Sequence, residues 1–318
     1  MKRMIVFLVL LGILGSCFPA LAVSAGEVRV VVGEDLTESE ISRIYSDFHL
    51  ERGTVQELSV SNEEEYALLG NALDASVIGS VACSCVCIRI LSEGSGCHVE
   101  RHNIGWCTEE MYKSALSTAG IDDVLVIISA PFEVSGTAAL VGIYKAYEDM
   151  TGAALSPDAK SVGVKELLLT GELAEEIGSF DAALIVETLK GALEYTASLS
   201  DAQLREKIAA VAEEYHVKLN DTQIEQLLSL CRQMEKLDEL RLREKVDEVK
   251  ETIEHLQDMK AKADELQEKA RSWRTKLEEA GRSVKTMYDN AVTWLEENSD
   301  KLREVWNDIR ALFTADKV

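Results

Sequence analysis

A repeating pattern of apolar residues in the last third of the chain constrains the fold most strongly. From Val246 to Trp294 these residues recur at intervals that alternate between three and four positions, with one short step at Met259. Glu, Lys, Asp and Arg fill the positions between them. This spacing predicts a heptad-like seam on a helix over about 237–297, which would be roughly 90 Å long. A single helix of that length cannot bury its own apolar stripe.

Two arrangements would cover the seam. The segment could fold back as a helical hairpin, with its bend at Gly281 or at Asn298-Ser299, or residues 237–318 could pair with another chain. The pattern itself does not choose between them. The tryptophans of this region are expected in the seam or the core rather than in a ligand cage: Trp273, Trp294 and Trp306.

The preceding part of the chain alternates strand and helix patterns. VRVVVG (28–33) and VQELSV (55–60) are rich in β-branched residues, and the fully apolar VLVIISA (124–130) suits a buried central strand. Thr37 with Glu40, three positions later, predicts a capped helix start between the first two strands. The sequence therefore predicts an α/β (or α+β) N-terminal domain with a mixed sheet, followed by an all-α region with a long coiled-coil-like helix or helical hairpin.

Two further strand patterns flank the turn sequence SEGSG. They are IGSVACSCVCIRIL (78–91) and CHVERHNIGW (97–106), and the short polar connection predicts a hairpin. Later in the chain, Ser200 and Asn220 each precede a glutamine by three positions and predict a weak helical repeat. The expected division of the chain is a signal peptide, an α/β head, a short helical repeat and a coiled-coil-like tail: 1–25, 26–195, 196–236 and 237–318.

The start of the chain predicts export. MKR is followed by the apolar run MIVFLVLLGILG and then by small residues, a pattern typical of a secretory signal peptide with cleavage after Ala22 or Ala25. A rival interpretation uses Leu14-Gly15-Ser16-Cys17 as a lipoprotein box with Cys17 lipidated, but it leaves the later A-x-A sites without a purpose. We expect ordinary cleavage and a secreted, extracellular or cell-envelope protein. No later stretch is long and apolar enough to span a bilayer.

The charge of the chain limits its partners. The formal net charge is −23, which disfavours nucleic acid and anionic lipid head groups as partners. We expect solvation of a polar helical system rather than cation binding, since no D-x-D/N-x-D/N-G calcium loop occurs. No cofactor is indicated, and the expected partner is an unknown protein or envelope component.

Three cysteines alternate in the apolar run VACSCVCIRI. In a strand, Cys83, Cys85 and Cys87 would face one side about 6–7 Å apart. That spacing suits neither a disulfide among them nor the C-x₂₋₄-C pattern of zinc sites. We expect small buried residues first, one disulfide from the triplet across the hairpin to Cys97 or Cys107 second, and a metal site last. The pairing of these five cysteines and of Cys231 stays open.

Three long runs carry a family resemblance: GEDLTESE (33–40), EGSGCHVERHNIGWCTEEMY (93–112) and APFEVSGTAALVGIYKAYEDMTG (130–152). Through them the chain from 27 to about 190, and in part to about 240, resembles the YpuA-like secreted proteins of Gram-positive bacteria, a domain-of-unknown-function family. The resemblance implies export and an envelope or extracellular setting. It implies no activity, cofactor or catalytic residue, and the tail beyond about 240 is expected to lie outside the shared region.

The candidate binding residues lie in these family-like runs. His102 and Asn103 with Trp106 could either structure the end of the predicted hairpin or line a groove. In the run VSGTAAL, Ser135 or Thr137 would cap the following helix around Gly136, and free N–H groups there could hold a phosphate or carboxylate. Neither G-x-x-x-x-G-K-S/T nor G-x-G-x-x-G occurs, so the cap is preferred. His98, Glu100 and His102 would share one face of the strand, and His98 and Glu100 are expected to be solvated there.

The chain lacks G-x-S-x-G, H-E-x-x-H and the other hydrolase signatures considered. We therefore expect an exported, non-enzymatic envelope-associated or extracellular protein, with a binding or docking head and a helical spacer or oligomerisation tail. Self-association through 237–318 is the expectation only if the seam pairs between chains. The alternative is an uncharacterised extracellular hydrolase with its site near 102–106 and 131–137.

Overall fold

The computed structural model describes residues 25–69, 80–237 and 250–276, together with positions 285, 286, 290 and 293. Several predictions concern positions outside these residues: cleavage after Ala22, lipidation of Cys17, the bends at Gly281 and Asn298-Ser299, and the places of Trp294 and Trp306. Cleavage after Ala25 also depends on the residues that precede it. All of these stay predictions.

Five strands form one mixed sheet. They are β1 (Val28–Gly33), β2 (Gln56–Val60), β3 (Cys85–Ile90), β4 (His98–Ile104) and β5 (Val124–Val134), in the spatial order β2-β1-β3-β5-β4. The pairs β1–β2 and β4–β5 are parallel, whereas β3 is antiparallel to both of its neighbours. The predicted mixed sheet is confirmed, and so is the placement of the apolar β5 between two neighbours.

The predicted hairpin of β3 and β4 is wrong. Both strands pair with β5, from opposite sides, so that Cys87 and Glu100 both lie opposite Ile127. The loop between β3 and β4 is attached to the start of β5, because Leu91 N–H donates to the carbonyl of Asp123 (2.6 Å) and Gly96 N–H donates to its carboxylate (2.8 Å). An apolar strand such as β5 is buried best with a neighbour on each side, and in this sheet β3 and β4 are those neighbours.

Helices cover both faces of the sheet. Helix α1 (Glu38–Asp47), which begins with the predicted capping box of Thr37 and Glu40, packs on one face. The other face is covered chiefly by α3 (Glu109–Ala119), α4 (Ala139–Thr151) and α5 (Pro157–Ile177). The short helix α2 (Asn62–Leu69) follows β2 and adds the buried Leu69 to the core on this face of the sheet.

A second apolar core lies in the helical region that follows. Its helices are α6 (Ser179–Gly191), α7 (Leu193–Thr196), α8 (Asp201–Glu214) and α9 (Asp221–Met234). The capping boxes predicted at Ser200 and Asn220 are both present. Helix α5 contributes side chains to both cores, Leu167 to the sheet core and Leu173 to the helical one.

Residues 250–276 are helical and are called α10 below. The chain divides into two compact units, Met1–Gln257 and Asp258–Val318. Within the first unit, Leu256 is buried against Ala183 and Leu184 of α6. The domain limits expected from the sequence stay a prediction. Within the described ranges, no helix is both long enough and apolar enough to cross a membrane.

Candidate functional site

The structure brings the two sequence-predicted segments together at the ends of β4 and β5. Ile104 lies opposite Val134, Gly105 N–H donates to the carbonyl of Val134 (2.9 Å), and Cys107 N–H donates to that of Ser135 (3.0 Å). We call residues 102–107 and 134–137 the strand-end turn. The parallel pairing of β4 with β5 creates it, because the carboxyl ends of parallel strands meet at one edge of a sheet.

Asn103 interrupts the regular pairing of β4 at this turn. Its φ of 58° lies in the left-handed region, which asparagine adopts more readily than most residues. Its side-chain amide donates to the carbonyl of Ala130 at 2.7 Å. The neighbouring His102 is exposed. Asn103 therefore fixes a local irregularity in the backbone, and His102 faces solvent, as do His98 and Glu100 on the same strand.

Gly136 is required by the geometry of the turn. Its φ is +94°, and an added Cβ would lie 2.4 Å from both the Ile104 side chain and the Tyr112 hydroxyl. That hydroxyl donates to the Gly136 carbonyl at 2.5 Å. Burial raises the pKa of Tyr112 well above its ordinary value, so the phenol keeps the proton that it donates. The loop therefore packs directly on α3.

The predicted capping of α4 by Ser135 or Thr137 is wrong. The N-cap residue is Ala138, which makes no side-chain cap bond, while the hydroxyls of Ser135 and Thr137 lie 3.4 Å from each other. The carbonyl of Gly136 accepts from Ala139 N–H at 3.0 Å, so the backbone turn satisfies donors that a cap would otherwise take. Thr137 is buried.

Trp106 joins the strand-end turn to α5. Its indole N–H donates to Glu175 at 2.6 Å. Its ring packs against Gly171 so closely that a Cβ added to this glycine would lie 2.1 Å from the nearest ring carbon. The contacts of Asn103, Gly136 and Trp106 are of the structural kind: they hold the end of the strand in place rather than line a groove. A binding role for the six candidate residues stays a prediction.

Two of the three alternating cysteines are core residues, as expected. Cys85 and Cys87 are buried on the α1 face of the sheet, and Cys83 precedes the strand. The expected second choice, a disulfide across a hairpin, is wrong because β5 separates β3 from β4. Cys107 and Cys231 are also buried and free.

Burial also limits the reactivity of these thiols. It raises the pKa of Cys85, Cys107 and Cys231 to about 12 and that of Cys87 to about 11. Little thiolate forms at neutral pH, and thiolate is the nucleophile and the metal ligand. Within the described part of the chain, no group of three or more His, Cys, Asp or Glu residues is placed to hold a metal ion.

A buried polar cluster joins α3, α5 and α6, and sequence reasoning missed it. Lys190 Nζ lies 3.1 Å from Glu166 Oε1 and donates to the Ser114 carbonyl at 2.8 Å. The Ser114 hydroxyl lies within hydrogen-bond distance of Glu166 and of Glu187. Thr118 donates to the second oxygen of Glu166. The sequence signal was present, because Glu187 and Lys190 occur inside the largely apolar run ALIVETLKGAL.

The chemistry available to this buried cluster is limited. The adjoining cavity measures only about 50 Å³ and is lined in part by Ser114, Glu187 and Lys190, which is room for a few water molecules and far below the roughly 300 Å³ of a small-ligand pocket. Lys190 Nζ lies 3.2 Å from the Ser114 hydroxyl, but it also donates to the Ser114 carbonyl and pairs with Glu166, so its hydrogen bonds are taken up inside the cluster. The cluster satisfies buried charges where the sheet core meets the helical core.

Two open grooves lie elsewhere on the first unit. One of about 550 Å³ runs between the end of α3 and the α4–α5 connection and reaches Lys236; the other, of about 290 Å³, lies between α5 and α9. Their linings mix polar and apolar groups. None of the six sequence-predicted binding residues lines either groove.

Among the residues that the structure describes, the most exposed large apolar side chains belong to α10. Leu266 is 66% exposed and Trp273 is 67% exposed. Seven residues separate them, which is two helical turns, so they lie on one face of the helix. Residues 261–276 are exposed throughout. The predicted seam is therefore present as an exposed stripe over these residues.

Comparison with known proteins agrees with the family resemblance. A family model described as "Protein of unknown function (DUF1002)" matches residues 32–270. A relative in Bacillus subtilis (strain 168), "Uncharacterized protein YpuA", is 38% identical over 216 residues, covering 68% of this chain and 74% of that protein. No solved structure matches. The family match extends to residue 270, past the expected limit of about 240. The expectation that the tail lies outside the shared region is therefore wrong for residues 250–270 of α10.

Proposed function

The chain belongs to the DUF1002 family of proteins of unknown function, and we propose that it is an exported protein that acts by binding a partner in the cell envelope or outside the cell. The sheet-containing head provides a stable base, and α10 provides the contact surface. The predicted signal peptide supports export.

One observation carries this proposal, the exposed apolar stripe of α10. Burying a leucine or a larger apolar side chain stabilises a complex by about 1.5–3 kcal/mol for each residue. Contiguous apolar surface left open on a soluble protein commonly marks an interaction site. Leu266 and Trp273 are two such side chains on one helix face, and a tryptophan is among the residues that most often dominate the energy of an interface.

The properties of the other polar sites support binding rather than catalysis. The Ser114 and Lys190 pair is enclosed beside a cavity of about 50 Å³, and raised pKa values make the buried thiols poor nucleophiles. At the strand-end turn, where the hydrolase alternative would place its site, Asn103 and Trp106 donate hydrogen bonds to the protein itself. These contacts support a structural role for the turn.

Site-specific crosslinking in a Bacillus host tests the contact surface. A photoreactive amino acid replaces Trp273 in one variant and Ala261 in the control, since both positions are exposed on α10 and Ala261 lies on the opposite face. We expect a discrete crosslinked species from position 273 and none from position 261. Equal crosslinking from both positions, or from neither, would contradict the proposal.

Mass spectrometry of the N-terminus from the same culture tests export. We expect a mature chain that begins after Ala22 or Ala25. A lipid on Cys17 would support export with membrane anchoring instead, and an uncleaved intracellular chain would refute export.

A further inference from the structure

We infer that the partner of the α10 stripe is a helix of another protein whose apolar seam is flanked by carboxylates. This inference rests on the proposed function, because it assumes that the stripe is a binding surface. It concerns residues 258–276, the part of α10 that lies in the second unit. Three features carry it: the shape of the stripe, its width and the charges beside it.

The stripe alternates small and large side chains along the helix. Ala263 and Ala270 form one row of the seam, and Met259, Leu266 and Trp273 form the other. In seam packing, each side chain of one helix inserts between side chains of its neighbour. A complementary helix therefore places large residues against the alanines and small residues against Leu266 and Trp273.

The stripe is too narrow for a lipid surface to be the better partner. At roughly 100° per residue, its five members lie within roughly 80° of the helix circumference. A helix that lies in a membrane interface uses a broad, strongly hydrophobic face. An arc this narrow is typical of a helix–helix seam, and the two alanines add little apolar area for a bilayer to cover.

The positions that border the stripe are basic. On one side lie Lys262, Lys269 and Lys276, and on the other Lys260 and Arg274 with the neutral Gln267 between them. Of the acidic residues in this segment, Asp264 and Glu268 point toward the opposite face. Asp258 and Glu265 lie next to one basic border and pair with its lysines. This local pattern contrasts with the formal charge of −23 for the whole chain.

The basic borders disfavour a second copy of this chain as the occupant. In a pair of helices the border residues of one lie beside those of the other, whichever way the two run. Two copies would bring lysines and arginines together along both borders, and like charges at such positions are destabilising. Carboxylates at the same positions on a partner would form ion pairs instead. Lys262 and Lys269 already pair with Asp258 and Glu265 one turn earlier at 2.5 Å, and these exposed pairs are weak enough to exchange.

Two synthetic helical peptides test the inference on the full chain. Both carry a seam of alternating large and small residues, but one has glutamate and the other lysine at every border position. Fluorotryptophan is incorporated into the protein, and the variant Trp273→Phe assigns the Trp273 signal in the fluorine NMR spectrum. The same titration with phosphatidylglycerol vesicles, and sedimentation of the protein alone, cover lipid and self-association.

We expect the glutamate peptide to shift the Trp273 signal and to bind on the order of tenfold more tightly than the lysine peptide at low salt. The preference should fall as the salt concentration rises toward about 1 M. The double variant Lys269→Glu with Lys276→Glu should remove most of the preference, because it lowers the border charge from five basic residues to three basic and two acidic ones. Glu268→Gln, on the opposite face, should leave the preference unchanged. Circular dichroism checks that each variant keeps its helix content.

The possible failures separate the inference from the proposed function. Equal binding of the two peptides would overturn the inference while leaving the stripe as a binding surface. A Trp273 response to vesicles alone, or to self-association alone, would overturn it in favour of lipid or of a second copy. If no probe moves the Trp273 signal, the inference fails; the crosslinking experiment then decides whether the proposed function fails with it.

Discussion

The carboxyl group of Glu65 makes the stability of this protein sensitive to pH near neutrality. Glu65 lies on α2 and is fully buried. Its Oε2 accepts a hydrogen bond from the Asn62 side chain at 3.2 Å, whereas its Oε1 has no hydrogen-bond partner among the residues that the structure describes. Burial, together with the negative charge of Asp35, outweighs the Asn62 bond and raises the pKa of Glu65 from 4.5 to about 7.

The sign and size of the effect follow from this shift. The raised pKa means that the folded protein holds the Glu65 proton more tightly than the unfolded chain does, so the folded state is favoured at low pH. The advantage is fully present below about pH 4.5 and is lost as the pH rises through about 7. Each pKa unit corresponds to about 1.4 kcal/mol, so the loss in the free energy of unfolding is about 3 kcal/mol above neutrality.

The variant Glu65→Gln isolates this effect, because an amide cannot ionise. At about pH 8.5 the variant should be more stable than the parent by up to about 3 kcal/mol. If the new N–H₂ group finds no acceptor, this gain falls by about 1 kcal/mol. At about pH 4.5 the free energies of unfolding of the two proteins should differ by no more than about 1 kcal/mol. Urea unfolding followed by far-ultraviolet circular dichroism at several pH values gives the difference directly, and all other titrating groups cancel.

The exposed neighbour Glu63 supplies the control, since it lies in the same first turn of α2. Glu63→Gln should show no such dependence on pH. The reasoning about Glu65 is refuted if the stability difference between Glu65→Gln and the parent is the same at about pH 5 and about pH 9.

Three further predictions concern the core. Gly136→Ala should lower the free energy of unfolding by at least about 1 kcal/mol more than the control Gly152→Ala. Both glycines have positive φ, but only at Gly136 would the added Cβ collide with neighbours. Equal losses in urea unfolding would contradict this prediction. Lys190→Met should cost about 3–5 kcal/mol because it leaves buried carboxylates without their cation. Adding Glu166→Gln should recover part of that loss, and simple additivity of the two changes would refute the pairing. The four buried thiols are those of Cys85, Cys87, Cys107 and Cys231. They should resist alkylation at about pH 7.5 until the protein unfolds, as measured by peptide mass mapping. Rapid labelling of the native protein would contradict their burial.

Features that depend on neighbours in sequence could be predicted well. The capping boxes at Thr37, Ser200 and Asn220 each involve a bond across three residues, so the residue types at those positions suffice. The periodic seam likewise predicted a helix, and α10 is helical over its described residues. In both cases the deciding interactions are local.

Features that depend on distant contacts could not be predicted. The sequence SEGSG fits a hairpin, but β5 lies between β3 and β4, and the loop that joins them is hydrogen-bonded through Leu91 and Gly96 to Asp123, just before β5. Capping of α4 failed for a related reason: the close packing of Gly136 on Tyr112 sets the path of the chain before the helix begins. Neither contact has a signature within a short window of sequence.

Glu65 and Glu166 show how such distant contacts give identical residues different roles. Both are fully buried glutamates on helices that pack against the same sheet core. Glu166 meets the Lys190 ammonium and the hydroxyls of Ser114 and Thr118, which all come from other helices, so its charge has partners. Glu65 has a single bond from Asn62, three positions away on its own helix. Because the partners of Glu166 come from α3 and α6, only the assembled fold provides them. Glu65 has no such partners from other helices, and its burial therefore raises its pKa to about 7.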